Sequence, residues 1–202
     1  MYLVPILIII KTAVSVTTMA FFIYINGFPG VGKLTIAQEL QGIIPNAKIF
    51  HNHLIIDPVA ALVDRDSPEY LPIRTNLRRH VLDIIATAES TKGMTWIFTD
   101  CRLSDSIGSE AAQDYKAAAE RRRVVFIPVV LNCDLKENLK RAVTETRSTR
   151  TKLMDPVLVE SIRQNVFLYH FGMKEELEID ITELSALQAA QRISQHLDQF
   201  EG

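Results

Sequence analysis

Gly27-Phe28-Pro29-Gly30-Val31-Gly32-Lys33-Leu34-Thr35 follows an apolar, β-branched and aromatic run at 21–25 and opens a helical pattern that starts at Lys33. A strand, a glycine-rich turn and a helix in that order form a cradle for an anion. Glycines let the backbone curl until several N–H groups face one point, and the positive end of the helix dipole favours negative charge there. Lys33 stands where an ammonium group reaches the β- and γ-phosphates of a nucleoside triphosphate. Gly27, Pro29, Gly30, Val31, Gly32, Lys33, Leu34 and Thr35 are therefore the expected nucleotide-binding residues. The competing reading is a plain glycine turn. Guanine specificity is not expected, because Asn132-Cys133-Asp134 after the fourth apolar run lacks the lysine of a guanine-reading motif. ATP is the expected nucleotide.

One position departs from the usual pattern. A Ser or Thr after the lysine binds Mg²⁺ in the standard motif. Here that place is Leu34, with Thr35 one residue later. One step along a helix turns a side chain by about 100°, so Thr35 is a displaced candidate for the metal. Asp100, closing the apolar run at 94–99, is the second candidate, as an acidic residue beside a phosphate loop. Its alternative is an aspartate opening a turn. Arg102, two residues on, is read as a solvated side chain.

With 202 residues, 48% of them hydrophobic, the chain can bury one sizeable core. Its formal charge of −2 offers no general basic field, so nucleic acid is not an expected partner. Cys101 and Cys133 have no metal-ligand spacing and suit a reducing, cytoplasmic setting. Residues 1–18 are mostly apolar, with Lys11 their only charge. They lack a basic opening and a small-residue cleavage site, and are short for a membrane span. The expectation is an extension at 1–18 ahead of one domain at 19–202. A membrane or organelle-targeting role for 1–18 is the alternative.

Further strand-like runs occur at 47–50, 94–99, 124–131 and 177–181. Helical patterns lie between them, at 33–41, near 57–63, and at 69–90, 104–122, 135–147, 156–167 and 183–200. Such alternation implies parallel crossovers and an α/β three-layer domain. Ligands of these sheets bind beyond the carboxyl ends of the strands, which directs attention to four places. After the second run stand His51, Asn52 and His53, with Asp57 one helical turn beyond His53. A carboxylate holding one ring nitrogen orients a histidine as a base; alternatively Asp57 caps a helix whose first residue is Pro58. His53 and Asp57 are the catalytic candidates, and His51 and Asn52 are candidate acceptor contacts. Arg74 and Arg78 share a helix face opposite Leu77, Val81, Ile84 and Ile85. That face is either solvated or touches substrate. Arg141, Arg147, Arg150 and Lys152 gather along a segment that could close over a triphosphate, with Arg147 and Arg150 as catalytic candidates. A basic surface helix is the alternative there.

The loop at 27–35, the segment at 51–57, Asp100 and the arginines at 141–152 together resemble the small P-loop kinases, among them adenylate, shikimate and gluconate kinases and chloramphenicol phosphotransferase. Uncharacterised kinase-like AAA-type ATPases with Gly-Lys-Leu-Thr in the loop and His-Asn-His after the second strand are similar in both motifs. The resemblance extends along roughly 21–200. It implies a five-stranded parallel sheet in 2-3-1-4-5 order, Mg-ATP as donor, and a lid at 141–152. His53 stands where shikimate kinase and chloramphenicol phosphotransferase carry an acidic residue, so the base and the acceptor differ from theirs. No Asp-Gly-x-Pro-Arg string follows the third strand, which disfavours a nucleoside monophosphate acceptor. The expected activity is transfer of the γ-phosphoryl of ATP to a small hydroxylated molecule. An ATP-binding regulatory protein and a plain ATPase are the alternatives.

Overall fold

A computed structural model describes residues 19–144 and 166–200. Five strands make one parallel sheet: β1 (Phe21–Gly27), β2 (Ala47–His51), β3 (Thr95–Asp100), β4 (Val125–Asn132) and β5 (Leu177–Asp180). Their order is β2-β3-β1-β4-β5, as the resemblance to the small P-loop kinases implies. Helices α1 (Lys33–Ile43), α2 (His53–Leu62), α3 (Tyr70–Thr87), α4 (Ser106–Arg122), α5 (Leu135–Thr144) and α6 (Ala186–Leu197) link and cover the strands.

The central strand β1 is buried along its whole length. A parallel strand in this position packs against helices on both faces, so it reads as an unbroken apolar run. Phe21, Ile23 and Ile25 face Ile36, Ala37 and Leu40 of α1 and Ala189, Ala190 and Ile193 of α6. Phe22 and Tyr24 face the other way, into a core with Leu82, Ile85 and Ala86 of α3 and Ala112, Tyr115, Ala118 and Ala119 of α4. The alternation follows from the two-residue period of a strand. Pairing aligns the strand ends: Asn26 lies opposite Asp100, Gly27 opposite Leu131, and His51 opposite Thr99.

Two helices differ from expectation. Helix α2 begins at His53 and runs through Pro58, so Asp57 is an interior residue and caps nothing. Asn52 starts the helix, its carbonyl accepting from Ile55 N and Ile56 N at 3.0 Å each. Proline gives up one internal hydrogen bond, and burial of Ile55 and Val59 on one side outweighs that loss. In α3 the buried stripe is rotated from the expected one, keeping Ile85 and taking in Arg78 in place of Ile84. Tyr70, Arg78, Leu82, Ile85 and Ala86 form the buried stripe, while Ile84 is 45% exposed. Arg78 enters that stripe because Asp114 of α4 takes its charge, with Nη2 to Oδ2 at 2.7 Å. Arg79 Nε donates to the other oxygen of the same carboxylate at 3.0 Å. The sequence does not show Asp114 across from α3.

Helix α6 starts at a capping box, in which Ser185 accepts from Gln188 N and Gln188 returns a bond to Ser185 N. Among the described residues no helix is long and apolar enough to cross a membrane.

Candidate active site

The loop between β1 and α1 takes its shape from backbone geometry. Gly30 (φ 77°) and Gly32 (φ 100°) lie in the left-handed region that glycine adopts without strain. Gly27 is needed for closeness, because a Cβ there would stand 3.1 Å from Val31 Cγ1 and 3.3 Å from Leu131 O. Lys33 folds its ammonium back over the loop, donating to Gly27 O at 2.7 Å and Phe28 O at 2.8 Å. Asn138, fully buried on α5, ties the loop down by donating to Pro29 O at 3.0 Å. No sequence motif marks Asn138, and only the fold brings it there.

Beside the loop opens a cavity of about 350 Å³, lined by Val31, Gly32, Thr35, Ile36, Arg141, Leu184, Ser185 and Ala186. Thr35 borders this cavity and Leu34 is half-buried. Arg141 is anchored rather than part of a mobile segment. Its Nε donates to Glu137 Oε1 at 2.9 Å and its Nη2 to the carbonyls of Ile181 and Thr182, each at 3.0 Å. Arg147, Arg150, Lys152 and the expected lid lie outside the described residues.

On the other side of the loop, the ends of β2 and β3 meet. Asp100 has no exposed side-chain surface. Its Oδ1 accepts from Asn52 Nδ2 (2.5 Å) and Cys101 N (2.8 Å). Its Oδ2 accepts from Arg102 Nε (2.6 Å) and from Tyr115 Oη (3.4 Å). Arg102 is thus a buried partner of Asp100, 6% exposed, and the solvated reading of it is wrong. Burial pulls the Arg102 guanidinium pKa down, but Asp100 and the two tyrosines nearby more than offset this, so it rises. Burial, followed by the Asp100 charge, pushes the hydroxyls of Tyr115 and Tyr24 up, and both stay neutral. Arg74 is lowered by burial and then by Arg102. Its neighbour Arg78, on the same face of α3, is committed to Asp114.

Asn26 joins these parts and was not singled out by any motif. Its Nδ2 donates to Arg102 O (2.9 Å) and Tyr169 O (3.1 Å), while its Oδ1 accepts from Arg102 N (2.8 Å) and Gly27 N (3.0 Å). One side chain thereby connects the phosphate-loop strand, the turn after β3 and the chain at 169. His53 and Asp57 share a face of α2, with Nδ1 and Oδ1 3.4 Å apart. The His51 and His53 rings lie 6.4 Å apart.

Mg²⁺ finds few protein ligands here. Both oxygens of Asp100 are committed, Thr35 opens on the cavity instead, and among the described residues no three His, Cys, Asp or Glu side chains converge. Asp100 therefore has its oxygens taken up, and Thr35 is the candidate metal contact that lies open on the cavity beside the loop.

No family model and no curated protein matches the chain. Solved structures do. The tunicamycin resistance protein of Deinococcus radiodurans is 17% identical over 89% of this chain and 95% of its own, with a TM-score of 0.52. A gluconokinase from Sinorhizobium meliloti is 11% identical over 91% and 95%, with a TM-score of 0.59. Shikimate kinase from Acinetobacter baumannii is 15% identical over 92% and 96%, with a TM-score of 0.54. The chain has the three-layer fold of the small P-loop kinases.

Proposed function

We propose that this protein is an ATP-dependent kinase for a small hydroxylated acceptor. One observation carries the reading: a single row of strand ends presents the phosphate loop with Lys33, a cavity on one flank of that loop, and a buried polar cluster of Asn52, Asp100 and Arg102 next to His53 on the other. A binding switch or a plain ATPase needs only the first two. Gluconokinase and shikimate kinase, which share the fold, are small-molecule kinases by name.

In this reading the cavity beside Thr35 and Arg141 takes the nucleoside, and the loop amides with Lys33 hold the phosphates. His53, its Nδ1 beside Asp57, accepts the proton of the acceptor hydroxyl. That oxygen bonds to the γ-phosphorus as the bond to the bridging oxygen breaks, and ADP leaves. Lys33 offsets the charge that spreads over the phosphoryl oxygens. Asp100 acts as a positioning residue for Arg102 rather than as a metal ligand; Mg²⁺ would arrive on the nucleotide's own phosphates.

A thermal-shift screen of small alcohols, sugars, nucleosides and antibiotics, run with a non-hydrolysable ATP analogue, tests the proposal. A kinase gives a hit that depends on both ligands and is phosphorylated when ATP replaces the analogue. ATP binding with no turnover across the panel favours a regulator, and ADP release without any acceptor favours an ATPase.

A further inference from the structure

Asn26 closes the last matched pair between β1 and β3, where it lies opposite Asp100. Beyond that pair the two strands part. Strand β1 runs one residue further, with Gly27 opposite Leu131 of β4, and becomes the phosphate loop, while β3 gives way to the turn at 101–104. Parting strands lose their backbone partners, and the Asn26 amide fills the gap. A primary amide has two N–H donors and an oxygen that accepts twice, and all four are used. The oxygen takes Gly27 N (3.0 Å) and Arg102 N (2.8 Å), and the nitrogen donates to Arg102 O (2.9 Å) and Tyr169 O (3.1 Å). The residue is 1% exposed. An ionised aspartate has no donor and a serine or threonine hydroxyl has only one, so neither makes the same four bonds.

The connections continue on both sides. Tyr169 N donates to Arg102 O and Ser104 N to Phe167 O, each at 2.9 Å, and Leu103 pairs with Leu168 across an antiparallel bridge. On the other side, Asp100 Oδ1 accepts from Asn52, the residue before His53. Phe28 of the loop also packs with Leu103 and Leu168 in a small apolar cluster. Apolar contact is non-directional and leaves the angle between segments free, whereas hydrogen bonds fix it. Resting on the kinase reading, we infer that Asn26 is a positioning residue. It carries the placement of the phosphate loop to the turn after β3 and, through Asp100 and Asn52, to His53, so that filling the loop tightens the acceptor side before transfer. Transfer needs the reacting atoms about 3–3.5 Å apart, and a displacement of about 1 Å costs about 10²-fold in rate.

Amide hydrogen exchange of the full chain, followed by NMR with and without saturating Mg²⁺ and a non-hydrolysable ATP analogue, tests this without knowing the acceptor. The amides to read are Ser104 and Tyr169, which donate to Phe167 and Arg102 and not to Asn26. The analogue should slow both at least about fivefold, the lower end of coupling between sites, together with the loop amides. In analogue-saturated Asn26→Ala the loop amides should slow while Ser104 and Tyr169 do not. Should Asn26→Ala fail to unfold cooperatively, Asn26→Asp replaces it, keeping the volume and an accepting oxygen while removing both donated bonds. Arg122→Ala, which removes bonds to the last carbonyls of α3, is the destabilised control and should keep the full response. If the analogue protects the loop but not Ser104 and Tyr169, Asn26 is only structural and the inference is overturned, with the kinase reading intact. A response that survives in the Asn26 variant, or is lost in Arg122→Ala, overturns it too. An analogue that leaves the loop amides unprotected removes the nucleotide site, and the kinase reading falls together with the inference.

Discussion

Lys33 gives its ammonium to two backbone carbonyls at 2.7 and 2.8 Å, both neutral acceptors. A triphosphate would exchange them for charged oxygens, and a charge-assisted bond is about twice as strong as a neutral one. Lys33→Ala should therefore weaken ATP binding at least about tenfold, a loss of about 1.4 kcal/mol or more. Calorimetry with an unaltered affinity would remove the nucleotide site from this loop. His53 is predicted to act on rate instead. His53→Ala should lower the transfer rate by about 10²–10⁴-fold, the usual contribution of a general base, with ATP affinity unchanged. Asp57→Asn should give a smaller loss of the same kind, since Asp57 only orients the ring. Measuring both kcat and the calorimetric ATP affinity separates these effects from misfolding.

At the scale of elements, α3 is held to α4 by an ion pair as well as by apolar contacts of Leu82, Ile85 and Ala86. Arg78 is 3% exposed and Asp114 receives both Arg78 and Arg79. Removing one partner of a buried pair strands the other charge, so Arg78→Ala should destabilise the fold by about 3 kcal/mol. Denaturant unfolding checks this. Ser185→Ala, which opens the capping box of α6, should cost about 1 kcal/mol. A value near zero for Arg78→Ala would mean that water replaces the guanidinium at little cost. The segment at 141–152 yields a further expectation, carried by its sequence alone. Arg147→Ala or Arg150→Ala should reduce the transfer rate more than ATP affinity, because charge is most widely spread in the transition state. If affinity falls as far as rate, these arginines bind the ground state and no lid is needed.

Across the whole molecule, the candidate site is assembled from the ends of β1, β2 and β3, and Asn26 is the side chain that ties β1 to the turn after β3. Asn26→Ala should cost about 2 kcal/mol or more, since it leaves buried backbone groups of Gly27 and Arg102 without partners. Nucleotide should act in the opposite direction. A ligand that binds only the folded chain, present at a hundred times its dissociation constant, stabilises by about 2.7 kcal/mol. For a chain of this length that raises Tm by about 5–10 °C. A non-hydrolysable ATP analogue that leaves Tm unmoved would count against the proposed function.

What the sequence determined by itself is local and periodic. The glycines and lysine of the loop act through backbone freedom and one charge, so their order is readable from 27–35. The alternation of apolar runs and helical patterns was enough for parallel crossovers and a three-layer domain, and the strand order came from the resemblance to the small P-loop kinases. Strand ends followed as the place to look, and His53 with Asp57 was legible because four residues make one helical turn. Only the tertiary structure decided which charges meet. Asp114 lies 36 residues from Arg78, and Asn26 lies 76 from Arg102. Nothing in either local pattern encodes those partners. For that reason the pairing of Arg78 with Asp114 was not foreseen, Arg102 read as solvated, and the hydrogen bonds around Asp100 were not visible. Electrostatic pairing is a property of distance in the folded chain, and distance across the sheet is what a linear pattern does not carry.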